Sequence, residues 1–381
     1  MYLRIVDRPY ALNDSLEVVE ATSKGSKQII VERYVCLFDD DFNIIPEVWE
    51  FLHNRLWYKA LAFNSVVSKG TDLKLFYEFL YQNRYSYDSL FPKEINTFIA
   101  WLRSDNQSSR SAKTINRILS TLKDFYTYHE AIHTINNPFL HASETIQTKK
   151  SYANRIKPFT PTVRYKIKEF DRGIRILSKE QIQIILDACT LQRDRLLFEV
   201  LLFTGMRIGE ALSLSVHSVG ISDLYSEVQD LTMLPNQDDS TIGNRTRQQK
   251  SGIRDLFIPT ALMEKLNDYY EHTWLGIYTK KQMDHDFFFI SEFHNNIGEP
   301  LSYQAVWERC RVIGKKTGIY FTPHDFRHTY ATMLARNKMS IDKLRKLLGH
   351  RYMASTDIYI QIASKEELVH DLAGFYESYG I

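Results

Sequence analysis

Five side chains in the C-terminal half of the sequence have the types and spacing to hold a phosphate group and attack it. Arg207 lies in the segment TGMRIGE, and His324 and Arg327 lie three residues apart, so on a helix they share one face. His350 follows a glycine, and Tyr359 comes nine residues later. Two arginines, two histidines and a tyrosine form a set suited to cleaving a phosphodiester with a phenolic oxygen.

The reason lies in the charges that such a reaction develops. A phosphodiester under attack gains negative charge on its non-bridging oxygens, and guanidinium groups meet these oxygens with paired N–H donors that stay charged. Donors fixed in advance where charge develops are usually the largest catalytic contribution. A phenol with a pKa of about 10 needs a proton acceptor such as histidine, and the leaving 5′ oxygen needs a proton from an acid such as lysine. No metal ion is required if arginines carry the charge.

These residues resemble the catalytic set of the tyrosine recombinase (phage integrase) family, closely in the C-terminal half and loosely before it. The resemblance assigns catalytic roles to Arg207, His324, Arg327, His350 and Tyr359, with Glu210 steadying the first arginine. It implies a recombinase of a mobile element such as a transposon, which cleaves and rejoins DNA through a 3′-phosphotyrosyl intermediate without ATP, cofactor or metal. It also implies a homotetramer on double-stranded recombination sites, joined by C-terminal tails and compatible with an accessory DNA-bending protein.

The position of the catalytic lysine has alternatives, because other basic residues lie near the best match. In the family it lies on a β-hairpin between the first arginine and the H-x-x-R box. Lys250 fits because a turn and then a strand surround it, but Arg245 and Arg247 stand close by.

Three further positions near the motifs need an interpretation. Tyr352 also follows His350, but Tyr359 is preferred as nucleophile because it is predicted to fall in a helix of its own and can fold back on the site. His328, one residue after the H-x-x-R box, is predicted to serve helix packing or a surface site. The box carries Asp325 and Phe326 instead of the spacer with a leucine that is usual in the family.

Length and composition limit the class of protein. The 381 residues should form two or three domains, and the 44% apolar and 25% charged fractions are ordinary for a globular protein. The net charge of +2 means that a nucleic-acid site must come from local clustering. Cys36, Cys189 and Cys310 are widely spaced and indicate buried thiols in a reducing compartment, here the bacterial cytoplasm near the nucleoid. No hydrophobic signal or membrane-spanning run is visible, so no membrane partner is predicted.

The N-terminal half is predicted to contain two segments. Residues 1–45 have short β-like runs and are interpreted as a structural cap on the next domain in preference to a DNA-binding arm. Residues 46–148 have four amphipathic helical stretches, the last from Ser111 to Tyr128, and resemble the helical core-binding domain of the family. Basic residues beside the apolar face of the fourth helix are either solvated or contact DNA: Arg110, Lys113, Arg117 and Lys123.

Residues 149–175 form a basic segment between the two predicted domains. It carries nine Lys or Arg and two Asp or Glu, a net charge of +7 against +2 for the whole chain. Pro158 and Pro161 forbid a continuous helix. Such a strap suits a protein that closes around DNA, because each phosphate contact adds affinity that is independent of sequence. The predicted contacts are Lys149, Lys150, Arg155 and Lys157.

Residues 176–381 are predicted to be the catalytic domain, so that the chain as a whole is mainly α with a small β-sheet (α+β), its catalytic domain mixed α/β. Ser178 and Gln181 form a capping box, and Gly205 ends a central apolar helix just before Arg207. Strands Leu224–Leu234 and Ile253–Ile258 flank a polar loop, 235–247. Further predicted elements are helices Leu262–Tyr278, Ser302–Gly314 and Ser340–Leu348, a helix beginning at Pro323, a buried strand Phe287–Ser291, and a tail helix Glu366–Tyr379.

Three other functions share part of this pattern. A type IB topoisomerase would cleave DNA in the same way but would relax supercoils without a partner site. A non-catalytic DNA-binding regulator could use the same scaffold, although the complete Arg, His and Tyr set argues against it. A metallohydrolase could use His324, Asp325, His328 and His350, but Arg327 in their midst would repel the cation.

Overall fold

The computed structural model describes residues 1–12, 18–20, 28–104, 110–140, 165–168, 173–219, 226–232, 255–350 and 352–378. The chain divides into two compact units, Met1–Asp171 and Arg172–Ile381. Helices dominate both units in the described ranges, and each unit has one small antiparallel sheet there. The predicted fold class, mainly α with a little β structure, is confirmed. The predicted domain limits at 45, 148 and 175 stay predictions.

In the residues that the structure describes, the first unit combines a three-stranded sheet with four α-helices. Its elements in chain order are β1 (Tyr2–Leu12), β2 (Val18–Glu20), β3 (Gln28–Phe38), α1 (Pro46–His53), α2 (Phe63–Asn83), α3 (Pro92–Ser104) and α4 (Ala112–Ile132). β1 pairs antiparallel with both β2 and β3. β3 places Val35 and Leu37 in the same hydrophobic core as the helices, so the sheet is part of the packing of this unit.

Helix α4 shows why the sequence pattern was informative. The Ser111 side chain accepts a hydrogen bond from the Thr114 backbone and starts the helix where predicted. Its apolar stripe is buried, including Ile115, Ile118 and Phe125. The helix continues to Ile132, beyond the predicted end at Tyr128, and within this added turn only His129 is buried.

The second unit is built around the apolar helix α6. Its elements are α5 (Lys179–Asp187), α6 (Gln192–Thr204), α7 (Ile208–Ala211), β4 (Val228–Thr232), β5 (Asp255–Pro259), α8 (Thr260–Tyr269), α9 (Leu275–Lys281), α10 (Tyr303–Thr317), α11 (Pro323–Arg336), α12 (Ile341–Leu348) and α13 (Ala354–Ser378). β4 and β5 pair antiparallel. The loop between them, with Arg245, Arg247 and Lys250, lies outside the described residues.

Two predictions about elements of this unit were wrong. The apolar run Phe287–Ser291 is buried as expected, but it makes single β-bridges, from Phe287 to Ser215 and from Ile290 to Pro300, in place of a strand. An apolar run indicates burial and does not specify a pairing partner. Tyr359 and the predicted tail helix also share one continuous helix, α13, because no helix-breaking residue separates them.

The ends of helices α6 and α12 position the side chains of Arg207 and His350. Gly205 ends α6 and Gly349 ends α12, both in the left-handed region with φ of 61° and 60°, which glycine adopts without strain. A Cβ atom at Gly205 would lie 2.4 Å from the Tyr330 ring, so this position also lacks room for a side chain. Arg207 and His350 therefore follow directly after sharp, glycine-dependent turns.

The remaining sequence expectations concern cysteines and membranes. Cys36 and Cys310 are buried, Cys189 is half-buried, and all three are free thiols. Across the ranges that the structure describes, we find no helix of the length and apolar character needed to cross a bilayer.

Candidate active site

Arg327 is the fixed centre of the candidate site. It lies in the second turn of α11, which begins at Pro323, and only 1% of its surface is exposed. Its guanidinium donates hydrogen bonds to the carbonyl oxygens of Gly205 and Leu348. A third contact of the same guanidinium reaches Nε2 of His350 at 2.8 Å. Arg327 thus ties the turn after α6 and the turn after α12 to α11.

The contacts of His350 fix the tautomer of its ring. Arginine can only donate, so Nε2 of His350 must accept from Arg327 when the ring is neutral. Nδ1 then carries the proton and donates to the Thr356 hydroxyl at 2.9 Å. Thr356 is fully buried on the first turn of α13. This chain of contacts joins α11, the turn after α12 and α13.

Tyr359 lies one turn further along α13 and faces the same cluster. Its hydroxyl is 3.0 Å from Nδ1 of His328, and only 3% of its surface is exposed. Its ring lies nearly parallel to that of His350, with centroids 6.4 Å apart. His324 is one helical turn before His328, and their ring centroids are 4.5 Å apart. The phenol therefore lies beside the imidazoles of His328 and His350, and His324 packs against His328.

Arg207 is held by the acidic residue predicted to steady it. It precedes the short helix α7, and the buried carboxylate of Glu210 accepts from the Arg207 backbone N–H at 2.9 Å and from its guanidinium at 3.1 Å. The Arg207 side chain is 30% exposed, whereas that of Glu210 is fully buried. A rigid carboxylate behind a partly exposed guanidinium orients the cation toward a ligand from solvent.

The pKa shifts show that both arginines act on the same groups. Burial raises the pKa of Tyr359, and Arg327 and Arg207 oppose this rise. Although His324 is exposed, nearby protein atoms displace part of the water around its ring. This desolvation lowers the pKa of His324, and the positive charges of Arg327 and Arg207 lower it further. Burial, His324 and Arg327 lower the pKa of His328 to about 4. At neutral pH the site therefore holds a protonated phenol beside a neutral imidazole that can accept its proton.

The depressed pKa of His328 predicts a pH-dependent stability. Between pH 6.5 and 4 this histidine binds a proton in the unfolded chain but not in the folded one, so its contribution to stability falls as pH decreases through that window. We expect His328→Gln to weaken the loss of unfolding free energy between pH 7 and pH 5, measured by urea denaturation. His272→Gln, at a site 72% exposed, is the control. An unchanged pH dependence in His328→Gln would contradict this account of the site.

Five of the six predicted catalytic residues meet in one place: Arg207, His324, Arg327, His350 and Tyr359. The sixth, Lys250, lies outside the described residues.

Sequence reasoning missed His328, which it placed in packing or at a surface. The signal was present, because His328 lies four residues after His324 and so shares its helix face. Tyr352, the rival nucleophile, is 66% exposed.

The geometry also bears on the metallohydrolase alternative. The Asp325 carboxylate accepts from the Thr322 backbone N–H at 2.8 Å and caps the start of α11. Within the ranges that the structure describes, His324, Asp325, His328 and His350 do not form a group whose ligand atoms lie close enough to share one metal ion. A metal centre at this site is therefore not supported.

The predicted DNA-contacting residues divide into three groups. Lys113 and Lys123 are exposed on α4, and Arg110, just before that helix, is half-buried. Arg117 donates to the buried Asp72 carboxylate at 2.7 Å and to the Ser68 hydroxyl at 2.8 Å. The rest lie outside the described residues: Lys149, Lys150, Arg155 and Lys157. The roles of all eight in DNA binding stay predictions.

Comparison with known proteins identifies the family. A model of the phage integrase family matches residues 175–366, and a model of the phage integrase N-terminal SAM-like domain matches residues 50–131. The first match covers half of the chain and includes the whole candidate site. The chain belongs to the phage integrase family. The predicted class, a tyrosine-type site-specific DNA recombinase, is confirmed by this membership.

Relatives of this phage integrase chain include the transposase of a transposon and a tyrosine recombinase. Transposase A from transposon Tn554 of Staphylococcus aureus is 26% identical over 347 residues, which cover 87% of this chain and 91% of the relative. The tyrosine recombinase XerD of the same species is 24% identical over 334 residues, covering 85% and 95%. The crystal structure of XerH bound to its difH substrate has a TM-score of 0.56 at 16% identity, covering 82% and 80%. The fold is thus shared with this recombinase.

Proposed function

We propose that Tyr359 is the nucleophile of this recombinase. Its hydroxyl oxygen attacks the scissile phosphorus, the bond to the 5′ oxygen breaks, and a 3′-phosphotyrosyl bond and a free 5′ hydroxyl result. The observation that supports this most directly is the position of the Tyr359 hydroxyl, 3.0 Å from His328 and beside the Arg327–His350 pair. The phenolic proton passes to the neutral imidazole of His328, which lies within hydrogen-bond distance.

The other residues of the cluster stabilise the charge that develops on the phosphate. Arg207 and Arg327 hold the non-bridging oxygens, and His324 serves in proton transfer and as a hydrogen-bond donor. His350 acts through Arg327, whose guanidinium donates to its Nε2. Glu210 fixes Arg207 from behind. Lys250 protonates the leaving 5′ oxygen, a step that follows from its match to the family motif. The phosphotyrosyl bond keeps the energy of the broken phosphodiester, so the 5′ hydroxyl of a second duplex can rejoin the strand without ATP.

We further propose that four copies act together on two double-stranded DNA sites in the bacterial cytoplasm at the nucleoid, where a DNA-bending protein can assist. The C-terminal part of α13 supports this assembly, because Leu368 and Val369 are 57% and 58% exposed. A groove along α11, α12 and the first half of α13 contains apolar Met339, Ile341 and Ile360, with charged side chains also in its lining. A neighbour's apolar tail would bury its exposed side chains in such a groove.

A nicked DNA substrate tests the proposed chemistry. The test uses a panel of duplexes that carry the end sequence of the mobile element and are nicked at successive positions. After cleavage, the short fragment with the free 5′ hydroxyl, which lies between the cleavage site and the nick, diffuses away. Rejoining is then impossible, and the covalent intermediate is trapped. We expect a protein–DNA adduct that resists denaturing electrophoresis, and peptide mapping by mass spectrometry should place the nucleotide on Tyr359. A nucleotide on any other side chain would overturn the proposal.

A further inference from the structure

A second cluster of chemically competent side chains lies in the first unit, where α1 meets the end of α4. It consists of Glu50, His129 and His133, and one possible ligand atom from each lies within 4.8 Å of the other two. The phage integrase chemistry proposed above uses none of these residues. Glu50 comes from α1, His129 from the last turn of α4, and His133 is the residue directly after that helix.

His129 has one ring nitrogen that lacks a partner. The residue is fully buried, and its Nε2 lies 3.0 Å from the backbone oxygen of Glu47. A carbonyl oxygen can only accept, so Nε2 carries the proton and Nδ1 carries a lone pair. In the described part of the chain, Nδ1 is buried without a hydrogen-bond partner. A histidine whose other N–H is fixed by a backbone carbonyl is the usual arrangement of a metal ligand.

The two remaining residues complete a donor set that opens to solvent. Nε2 of His133 lies 3.2 Å from a carboxylate oxygen of Glu50, and the rings of His133 and His129 stack with centroids 5.6 Å apart. The side chains of His133 and Glu50 are 48% and 41% exposed, so an ion and its water can enter. Two imidazoles and one carboxylate, with a water in the fourth position, are a donor set for Zn²⁺ and are poorly suited to Mg²⁺.

We propose that Glu50, His129 and His133 bind one divalent transition-metal ion of the zinc type. The ion adds a further link between α1 and the end of α4, which are also joined by packing, by the His129–Glu47 hydrogen bond and by the His133–Glu50 contact. Burial lowers the pKa of His129, which keeps its imidazole neutral and available to a metal at neutral pH. The ion serves the architecture of the first unit and takes no part in the reaction at Tyr359.

Metal binding by the untagged full chain tests this proposal. We expect isothermal titration with Zn²⁺ to show one bound equivalent and Zn²⁺ to raise the melting temperature, whereas Mg²⁺ does neither. His133→Ala changes an exposed residue and should weaken Zn²⁺ binding by at least ~10-fold. Glu50→Gln, which keeps the size of the side chain, should also weaken it.

The chain offers a matched control for these variants. His272 lies 3.1 Å from the Asp268 carboxylate and is 72% exposed, but it belongs to no three-residue cluster of this kind among the described residues. His272→Ala should therefore bind Zn²⁺ like the wild type. The proposal is overturned if the wild-type chain binds no equivalent of Zn²⁺, or if His133→Ala binds it with wild-type affinity.

Discussion

Replacing Tyr359 with phenylalanine should abolish the covalent protein–DNA adduct, with a loss of at least ~10⁴-fold in the rate of its formation. Phenylalanine keeps the ring in its buried place on α13 but has no oxygen to attack phosphorus. The folded state should change little, because the substitution removes one hydrogen bond, to His328, at a cost of about 0.5–1.5 kcal/mol. Adduct formation on the nicked duplex, together with urea denaturation, measures both quantities.

Tyr352→Phe is the matched control for this experiment. Tyr352 lies only seven residues before Tyr359 in the sequence, and it is 66% exposed, whereas Tyr359 is 3% exposed. The Tyr352 variant should form the adduct at the wild-type rate. If Tyr359→Phe still formed the adduct, or if the loss followed Tyr352 instead, the assignment of the nucleophile would be wrong.

The second large effect is expected at Arg327, where one substitution should damage both stability and activity. Lysine keeps the positive charge but has its donors on a single nitrogen, so it cannot replace the planar guanidinium that reaches Gly205, Leu348 and His350. Arg327→Lys should therefore lower the free energy of unfolding by about 2–4 kcal/mol. Adduct formation should fall by about 10²–10³-fold, the usual effect of losing one preorganised donor at developing charge.

Arg207→Lys separates the catalytic effect from the structural one. Arg207 is 30% exposed and its main described partner is Glu210, which a lysine can still approach. We expect a similar loss of adduct formation, but a change in the free energy of unfolding within about 1 kcal/mol. Urea denaturation without DNA and adduct kinetics on the nicked duplex distinguish the two variants. Equal destabilisation by both substitutions would show that the structural role attributed to Arg327 is incorrect.

Much of the site could be predicted because its residues lie beside strong local signals. Arg207 follows the glycine that ends an apolar helix, and His350 follows another such glycine. His324 and Arg327 follow a proline at a helix start and share one face of α11. Local signals of this kind depend on short-range backbone preferences, so a single sequence reveals them.

The contacts that connect these local pieces could not be predicted in the same way. The hydrogen bond from Tyr359 to His328 exists only because α13 packs back against α11, and no pattern within either helix specifies that packing. The same holds for His129 and Glu50, which come from different helices. The apolar run at 287–291 shows the converse, since its burial was predictable but its pairing was not.

The position of Arg327 has a consequence for how the protein is made. Its guanidinium donates hydrogen bonds to the carbonyl oxygens of Gly205 and Leu348. The candidate site therefore cannot form until both of these segments and α13 have left the ribosome. The first unit has its own core and can fold while synthesis continues. A nascent chain can therefore contain a folded first unit before all the segments that form the candidate site have been synthesised.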